Sequence, residues 1–249
     1  MLPPNPDYGS GIFRRRVRLR VAARAVHVDL EDSVHAFRVV LRHDGQCITA
    51  IEPVYVRHPF TTCPESARFL LAFVGQPLGA VPDLRRALAR RHSCTHVTDM
   101  TALALAHVDA AGLTRLYDIA VDDERDGRTR ARITCDGRTV HEWAVARHLL
   151  VEPRELVGRS VMQGFHGWAS EVFTDSDLEA ALLLQRGYLV AQTRRFIVTP
   201  VREHPAIGDG MPDGVCYSYS TPVVQRAERI EGYRRDFTAS PDALLRFEG

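Results

Sequence analysis

The chain has the length, composition and charge of an ordinary globular protein. It contains 249 residues, of which 45% are hydrophobic and 25% charged, enough to bury a core in one large domain or two modest ones. The formal net charge is +1, and this balance gives no indication of a nucleic-acid or membrane partner.

Two further features favour a cytoplasmic location. The sequence lacks the charged-then-apolar order of a secretory signal at its start, and it has no run near the roughly 18 apolar residues that cross a bilayer. Its five cysteines are an odd and scattered set, which fits free thiols or metal ligands better than a disulfide framework.

The first half of the chain is predicted to form strands followed by helices. The alternating end of the arginine-rich segment 14–20 indicates a strand, which we interpret as an edge strand with a solvated face rather than a nucleic-acid patch. The Asp44-Gly45 pair favours a hairpin turn between two further strands. The predicted elements are strands at 36–41 and 47–56, a helix that opens at Thr62 or Cys63 and ends at Gly75, and helices at 82–91 and 98–111.

The second half repeats this order. Alternating segments predict strands, and Thr174 precedes a helix that Gly187 is expected to close. The predicted elements are strands at 116–121, 130–134 and 140–146 and a helix at 178–186, then an ambiguous segment and a turn-rich tail. The sequence therefore predicts an α+β fold in which an antiparallel β-sheet packs against helices. Domains are expected at 12–112 and 113–249, or as one continuous domain, with a weak internal repeat between the halves.

Three short polar segments contain residue types that move protons or bind metals. Asp32 and His35 precede a strand, Cys63 lies where a strand passes into a helix, and Cys94 and His96 precede another helix. A cysteine at a helix N-terminus favours its thiolate form, because the helix dipole and unpaired N–H groups stabilise negative charge. If the segments converge, the candidate ligands of a divalent metal, zinc or iron, are Asp32, Cys63, Cys94 and His96. Together with His35, these are also the candidate catalytic residues.

Other residues are assigned to substrate binding or to structure. The candidates for substrate binding are Arg57, Tyr217 and Tyr219, although the two tyrosines also fit one face of a strand. Asp99 is interpreted as a helix cap. The segment 164–168 fits packing against the following helix or the wall of a pocket.

The same segments carry two resemblances. The order of Asp32, the Gly45 turn, Cys63 and Cys94 within residues 27–111 resembles the IscU/NifU-type iron–sulfur scaffold fold. Five segments resemble an uncharacterised bacterial family of unknown function, namely Leu-Glu-Asp-Ser-Val-His at 30–35, Thr-Thr-Cys-Pro at 61–64, Cys-Thr-His at 94–96, Gly-Val-Cys-Tyr at 214–217 and Arg-Asp-Phe-Thr at 235–238. The first resemblance implies a metal or iron–sulfur carrier, and the second implies no particular activity.

Three functional hypotheses follow. The leading one is a small-molecule enzyme with a mononuclear metal centre, a hydrolase or lyase acting on a carbonyl or aromatic substrate. The second is a metal-free enzyme in which Asp32, His35 and His96 perform acid–base chemistry and Cys63 or Cys94 is a nucleophile. The third is the carrier protein. The expected partners are a small-molecule substrate and, in a homo-oligomer, a second copy of the chain, with no nucleic acid and no membrane.

Overall fold

The computed structural model describes residues 2–79, 87, 93–197 and 206–247 of the chain. The fold is α+β, with an eight-stranded antiparallel sheet against which helices pack, and this confirms the predicted fold class. The strands are β1 Ile12–Ala22, β2 Ala25–Asp32, β3 Ala36–His43, β4 Ile48–Arg57, β5 Thr114–Asp122, β6 Arg128–Cys135, β7 Arg138–Ala146 and β8 Leu149–Glu152. The α-helices in the described ranges are α1 Thr95–Ala106, α2 Phe165–Val172 and α3 Asp175–Ala191. Short 3-10 helices include Cys63–Phe73, Gln192–Arg195 and Tyr217–Tyr219.

The sheet consists of two four-stranded meanders that meet in its centre. The strand order is β4-β3-β2-β1-β5-β6-β7-β8, and the two meanders are joined by antiparallel pairing of β1 with β5. Helix α1 follows the first meander, and α2 and α3 follow the second. Residues 12–112 and 113–249 therefore contribute four strands each to one sheet, which runs across the predicted domain boundary.

Strand β1 lies in the centre of the sheet, whereas the sequence pattern predicted an edge strand. It pairs with β2 on one side and with β5 on the other. Phe13, Arg15 and Val17 are all buried, whereas Arg16 is on the opposite face, where it contacts Asp118. The alternation along this strand was thus a reliable sign of a strand, but the buried face includes a charged residue.

The helices cover the face of the sheet that carries the buried side chains of β1. Helix α1 packs on β2 and β3, and α3 packs on β5, β6 and β7. Gly187 lies within α3 and does not end it, in contrast to the sequence prediction. A Cβ atom at Gly187 would lie 2.7 Å from Cγ2 of Ile119, so the glycine lets α3 approach β5 closely.

Several other segments differ from the sequence prediction. The pattern does not predict β2 or β8, and the segment 214–220 contains a 3-10 turn where a strand was one interpretation. The helix expected from residue 63 is the 3-10 helix Cys63–Phe73, and the helix expected at 98–111 is α1, which begins and ends earlier. Of the helix predicted at 82–91, only Ala87 is among the described residues, and it is helical. Across the described parts of the chain, no helix has the length and apolar character that would let it cross a membrane.

Candidate active site

The site begins at the tight turn between β2 and β3. Asp32 ends β2, and its backbone N–H donates to the carbonyl of His35 at 2.8 Å, which closes a hairpin around Ser33 and Val34. The Asp32 carboxylate stabilises this turn, because Oδ1 accepts the backbone N–H of Val34 at 2.7 Å and of His35 at 2.8 Å. Local hydrogen bonding of this kind is typical of aspartate in turns, and it fixes the carboxylate at the end of the strand.

Arg15 on β1 lies opposite this carboxylate. The strand register pairs Arg15 with Asp32 directly, and both side chains are buried. Nε and Nη2 of Arg15 donate to Asp32 Oδ2 at 2.9 and 2.6 Å. The buried cation is therefore compensated by a buried anion on the neighbouring strand, as burial of a charge requires.

Two histidines complete the cluster. His35 Nδ1 lies 3.2 Å from Asp32 Oδ1, and since a carboxylate accepts hydrogen bonds, this nitrogen carries the proton. His96, in the first turn of α1, has its Nε2 atom 3.1 Å from Arg15 Nη2. Arginine has only donors, so Nε2 of His96 accepts and its proton is on Nδ1. The two imidazole rings lie with their centroids 3.9 Å apart.

Electrostatics hold the cluster in defined protonation states. Burial disfavours the ionised form of Asp32, but the adjacent Arg15 and the two histidines outweigh it and hold the pKa of this carboxyl well below 3.8. Burial, with His35 and Arg15 nearby, lowers the pKa of His96 well below 6.5. At neutral pH the cluster therefore contains a carboxylate, a guanidinium and a neutral His96 imidazole.

Arg15 and His96 form part of the wall of a cavity between the sheet and the helices. The cavity has a volume of about 350 Å³, within the range of sites for small molecules. Most of its wall is apolar and comes from β1, β2 and all three α-helices, including Val17, Leu30, Met100, Leu103, Phe165 and Leu183. The polar part includes Asp99 and Arg186, whose side chains form an ion pair at 2.6 Å between α1 and α3.

Two residues of the cavity wall have hydrogen-bond donors for which the described residues offer no acceptor. Arg15 uses Nε and Nη2 in the contacts above, and its Nη1 has no hydrogen-bond partner among the described residues. The same holds, within those ranges, for the protonated Nδ1 of His96. Donors of this kind, on neighbouring residues of a largely apolar cavity wall, can bind an oxygen atom of a ligand and stabilise negative charge on it.

Asp32, His35 and His96 could also act as metal ligands. One ligand atom from each lies within 4.8 Å of the others. However, Asp32 Oδ1 already accepts three N–H groups and Oδ2 accepts two from Arg15. A metal ion would have to displace Arg15 and compete with these donors, so the arrangement fits an ion pair better than a metal centre.

Cys63 and Cys94 lie outside this cluster. Cys63 packs with Phe60 and its Sγ is 3.5 Å from Oγ of Ser218, whereas Cys94 belongs to the main hydrophobic core. Burial raises the pKa of Cys63 to about 11 and that of Cys94 to about 12. This is opposite to the thiolate character expected from their positions at helix N-termini, because burial outweighs the neighbouring N–H groups.

The residues predicted to bind substrate do not line the cavity. Arg57 donates to the carbonyl oxygens of Asp32 and His35 and so supports the hairpin from behind. Tyr217 donates to Glu65 at 2.8 Å and Tyr219 to Asp209 at 2.6 Å, in another region of the molecule. The segment 164–168, in contrast, contributes Gly164, Phe165, His166 and Gly167 to the cavity wall.

Sequence reasoning missed three charged residues of the cavity wall: Arg15, Asp99 and Arg186. The alternation along β1 did contain a signal for Arg15, since it falls in the apolar row of Phe13 and Val17. Asp99 was interpreted as a helix cap, but it is the fifth residue of α1 and contacts α3.

Comparison with known proteins gives a family match without a function. Residues 13–110 match the model of a family described as a protein of unknown function, DUF2889. This supports the predicted resemblance to an uncharacterised family, and the matched segment contains Arg15, Asp32, His35 and His96. A search of curated proteins found no match to the chain. The resemblance to the iron–sulfur scaffold fold stays a prediction.

Proposed function

We propose that this chain is a metal-free enzyme of the lyase type that acts on a small carbonyl compound bound in the cavity between the sheet and helices α1 and α3. The observation that carries the proposal is the pair of unpartnered donors, Arg15 Nη1 and His96 Nδ1, within the described part of the wall. These two donors favour the stabilisation of an oxyanion. Such stabilisation commonly contributes the largest single catalytic effect.

The proposed step is removal of a proton from the carbon next to the carbonyl group. The C–H bond breaks, its electron pair forms the enolate, and the negative charge on oxygen is stabilised by Arg15 and His96. Asp99 is the carboxylate in the described cavity wall, and it accepts the proton. A neutral imidazole suits the donor role, because a charged one would lose its proton to the enolate. The enolate then either takes the proton back or re-forms the carbonyl group as a Cα–Cβ double bond forms, and the leaving group departs from the β-carbon with its electron pair and takes the proton from Asp99.

Two features favour proton transfer over covalent catalysis. Among the described residues that line the cavity, none is serine, cysteine or threonine, and the chain contains no lysine. The high pKa of Cys63 and Cys94 also makes these thiols poor nucleophiles at neutral pH.

The test is deuterium exchange in D₂O, followed by proton NMR, with propiophenone as a neutral aryl ketone probe. The wild type is expected to incorporate deuterium next to the carbonyl, and His96→Ala is expected to slow this by about a hundredfold to a thousandfold. Asp99→Asn removes the base and is expected to have a similar effect. His27→Ala, on the opposite face of the sheet, is the control with unchanged exchange. Equal exchange rates in all four proteins would contradict the proposal.

The second candidate is the mononuclear metal enzyme, with Asp32, His35 and His96 as ligands. The specific observation in its favour is the convergence of these three side chains. Elemental analysis of the same preparations separates the two candidates. A stoichiometric metal in the wild type that is lost in His35→Ala, together with exchange that requires it, would replace the metal-free proposal.

A further inference from the structure

Arg186 is another residue of the cavity wall with hydrogen-bond donors that no described residue accepts. Its Nε donates to Asp99 Oδ2 at 2.6 Å. Its two terminal nitrogens, Nη1 and Nη2, have no acceptor among the described residues, although they carry four N–H groups. Asp99 holds the guanidinium in place through Nε and leaves its terminal edge available.

The two arginines of the cavity differ in depth. The side chain of Arg15 is 2% exposed, whereas that of Arg186 is 29% exposed. Arg186 is therefore the more solvent-accessible of the two guanidinium groups. Apolar side chains such as Met100, Leu103 and Leu183 make up much of the remaining wall. The wall thus combines buried donors, apolar side chains and a partly exposed guanidinium.

We propose that the substrate is an oxo acid, whose carbonyl group contacts Arg15 and His96 and whose carboxylate is bound by Arg186 at the solvent side. This inference rests on the proposed function and adds the class of its substrate. The terminal edge of a guanidinium matches the two oxygens of a carboxylate and binds them with two parallel hydrogen bonds.

The charge of the cavity favours a monoanion over a phosphate. Arg15 is balanced by Asp32, and Arg186 by Asp99, so the four side chains have no net charge. One carboxylate adds a single negative charge beside a guanidinium. A phosphate dianion would bring a larger charge close to Asp99, and the described cavity wall offers no lysine to compensate it.

The test compares benzoylpropionate with its neutral methyl ester, with binding measured by NMR titration at neutral pH. The wild type is expected to bind the acid more tightly than the ester, on the order of tenfold to a hundredfold. Arg186→Gln is expected to remove this preference and to leave ester binding unchanged. Arg42→Gln is the matched control, because Arg42 is also paired with a carboxylate but lies on an exposed strand surface.

A variant of Asp99 separates loss of the Arg186 contact with the carboxylate from disturbance of the Arg186–Asp99 ion pair. Asp99→Asn keeps a side-chain oxygen that can accept Arg186 Nε and removes a negative charge near the bound carboxylate, so acid binding is expected to tighten. Equal affinity for acid and ester in the wild type, or no detectable binding of the acid, would overturn the inference. Because binding does not require proton transfer, exchange of propiophenone without an acid preference would leave the proposed function standing and reject only the oxo acid.

Discussion

At the scale of single residues, the central feature is the saturation of one carboxylate. Asp32 accepts hydrogen bonds from a backbone turn, from His35 and from Arg15, and it is fully buried. A buried ion pair contributes little net stability relative to an apolar pair, but removal of one partner leaves the other as an uncompensated charge. Asp32 therefore makes it possible for Arg15 to stay charged at the wall of an apolar cavity.

Two adjacent arginines of β1 allow a matched test of this effect. Asp32→Asn leaves Arg15 without its anion and is expected to lower the free energy of unfolding by about 3–5 kcal/mol. Asp118→Asn breaks the Arg16 pair, which has the same N–O distance of 2.6 Å but is partly exposed, and is expected to cost about 0–1 kcal/mol. Urea denaturation measures both.

The Arg15–Asp32 ion pair also predicts how the stability difference between the wild type and Asp32→Asn depends on pH. The pKa of Asp32 is lower in the folded protein than in the unfolded chain, so its contribution is fully present above pH 3.8 and lost as the pH falls through the folded pKa. The wild type should therefore lose more stability than Asp32→Asn on strong acidification. Equal losses for the two Asn variants at neutral pH would contradict a buried role for the pair.

The site residues illustrate what the sequence could and could not predict. Asp32, His35 and His96 were identified because short polar segments at the junctions of elements are readable in the chain. Arg15 was missed because its burial depends on which strand lies beside β1, and strand pairing over a distance is not encoded in the local pattern. Cys63 and Cys94 were placed at helix starts, but their pKa depends on burial, which the local sequence does not reveal.

At the scale of elements, the approach of α3 to the sheet depends on one glycine. The sequence suggested that Gly187 ends the helix, because glycine after a periodic segment is a common stop signal. Instead it continues the helix at the point of contact with Ile119 on β5. The next residues of α3 toward its N-terminus include Arg186, so this contact also sets the position of the cavity wall.

Gly187→Ala tests the contact. The added methyl group would lie 2.7 Å from Ile119 Cγ2, so α3 or the isoleucine has to shift, and the expected loss is about 1–3 kcal/mol in the free energy of unfolding. In an Ile119→Ala background, which lacks Cγ2, Gly187→Ala should cost less stability than it does in the wild type. Gly208→Ala, where the added atom meets open space, is the control for a change of glycine to alanine. A stabilised Gly187→Ala protein, as its helix propensity alone predicts, would show that the contact is not tight.

At the scale of the whole molecule, the continuous sheet determines how the chain unfolds. The two portions predicted as domains share the β1–β5 pairing, and the hydrophobic core includes residues of both. A shared core favours one cooperative transition, whereas two separate cores would allow two.

Tryptophan fluorescence can report on this cooperativity. Both tryptophans, Trp143 and Trp168, are in the second half, and Leu41 is fully buried in the first. Leu41→Ala is expected to lower the free energy of unfolding by about 2–5 kcal/mol and to shift the fluorescence transition together with the circular dichroism transition. Leu71→Ala, at a position that is 66% exposed, should shift neither. A fluorescence transition that does not move with Leu41→Ala would show that the halves unfold independently.

The cavity is lined by residues from both halves of the chain, and the two halves contribute different kinds of residue. Arg15 and His96, the proposed oxyanion donors, come from the first meander and its helix, within the segment that matches the family model. Phe165 and Arg186, which also line the cavity, come from the helices that follow the second meander. Substitutions in the second half can therefore alter which molecule binds while the proposed reactive groups of the first half keep their positions. Substrate selectivity could then diverge in evolution without a change in the proposed reaction.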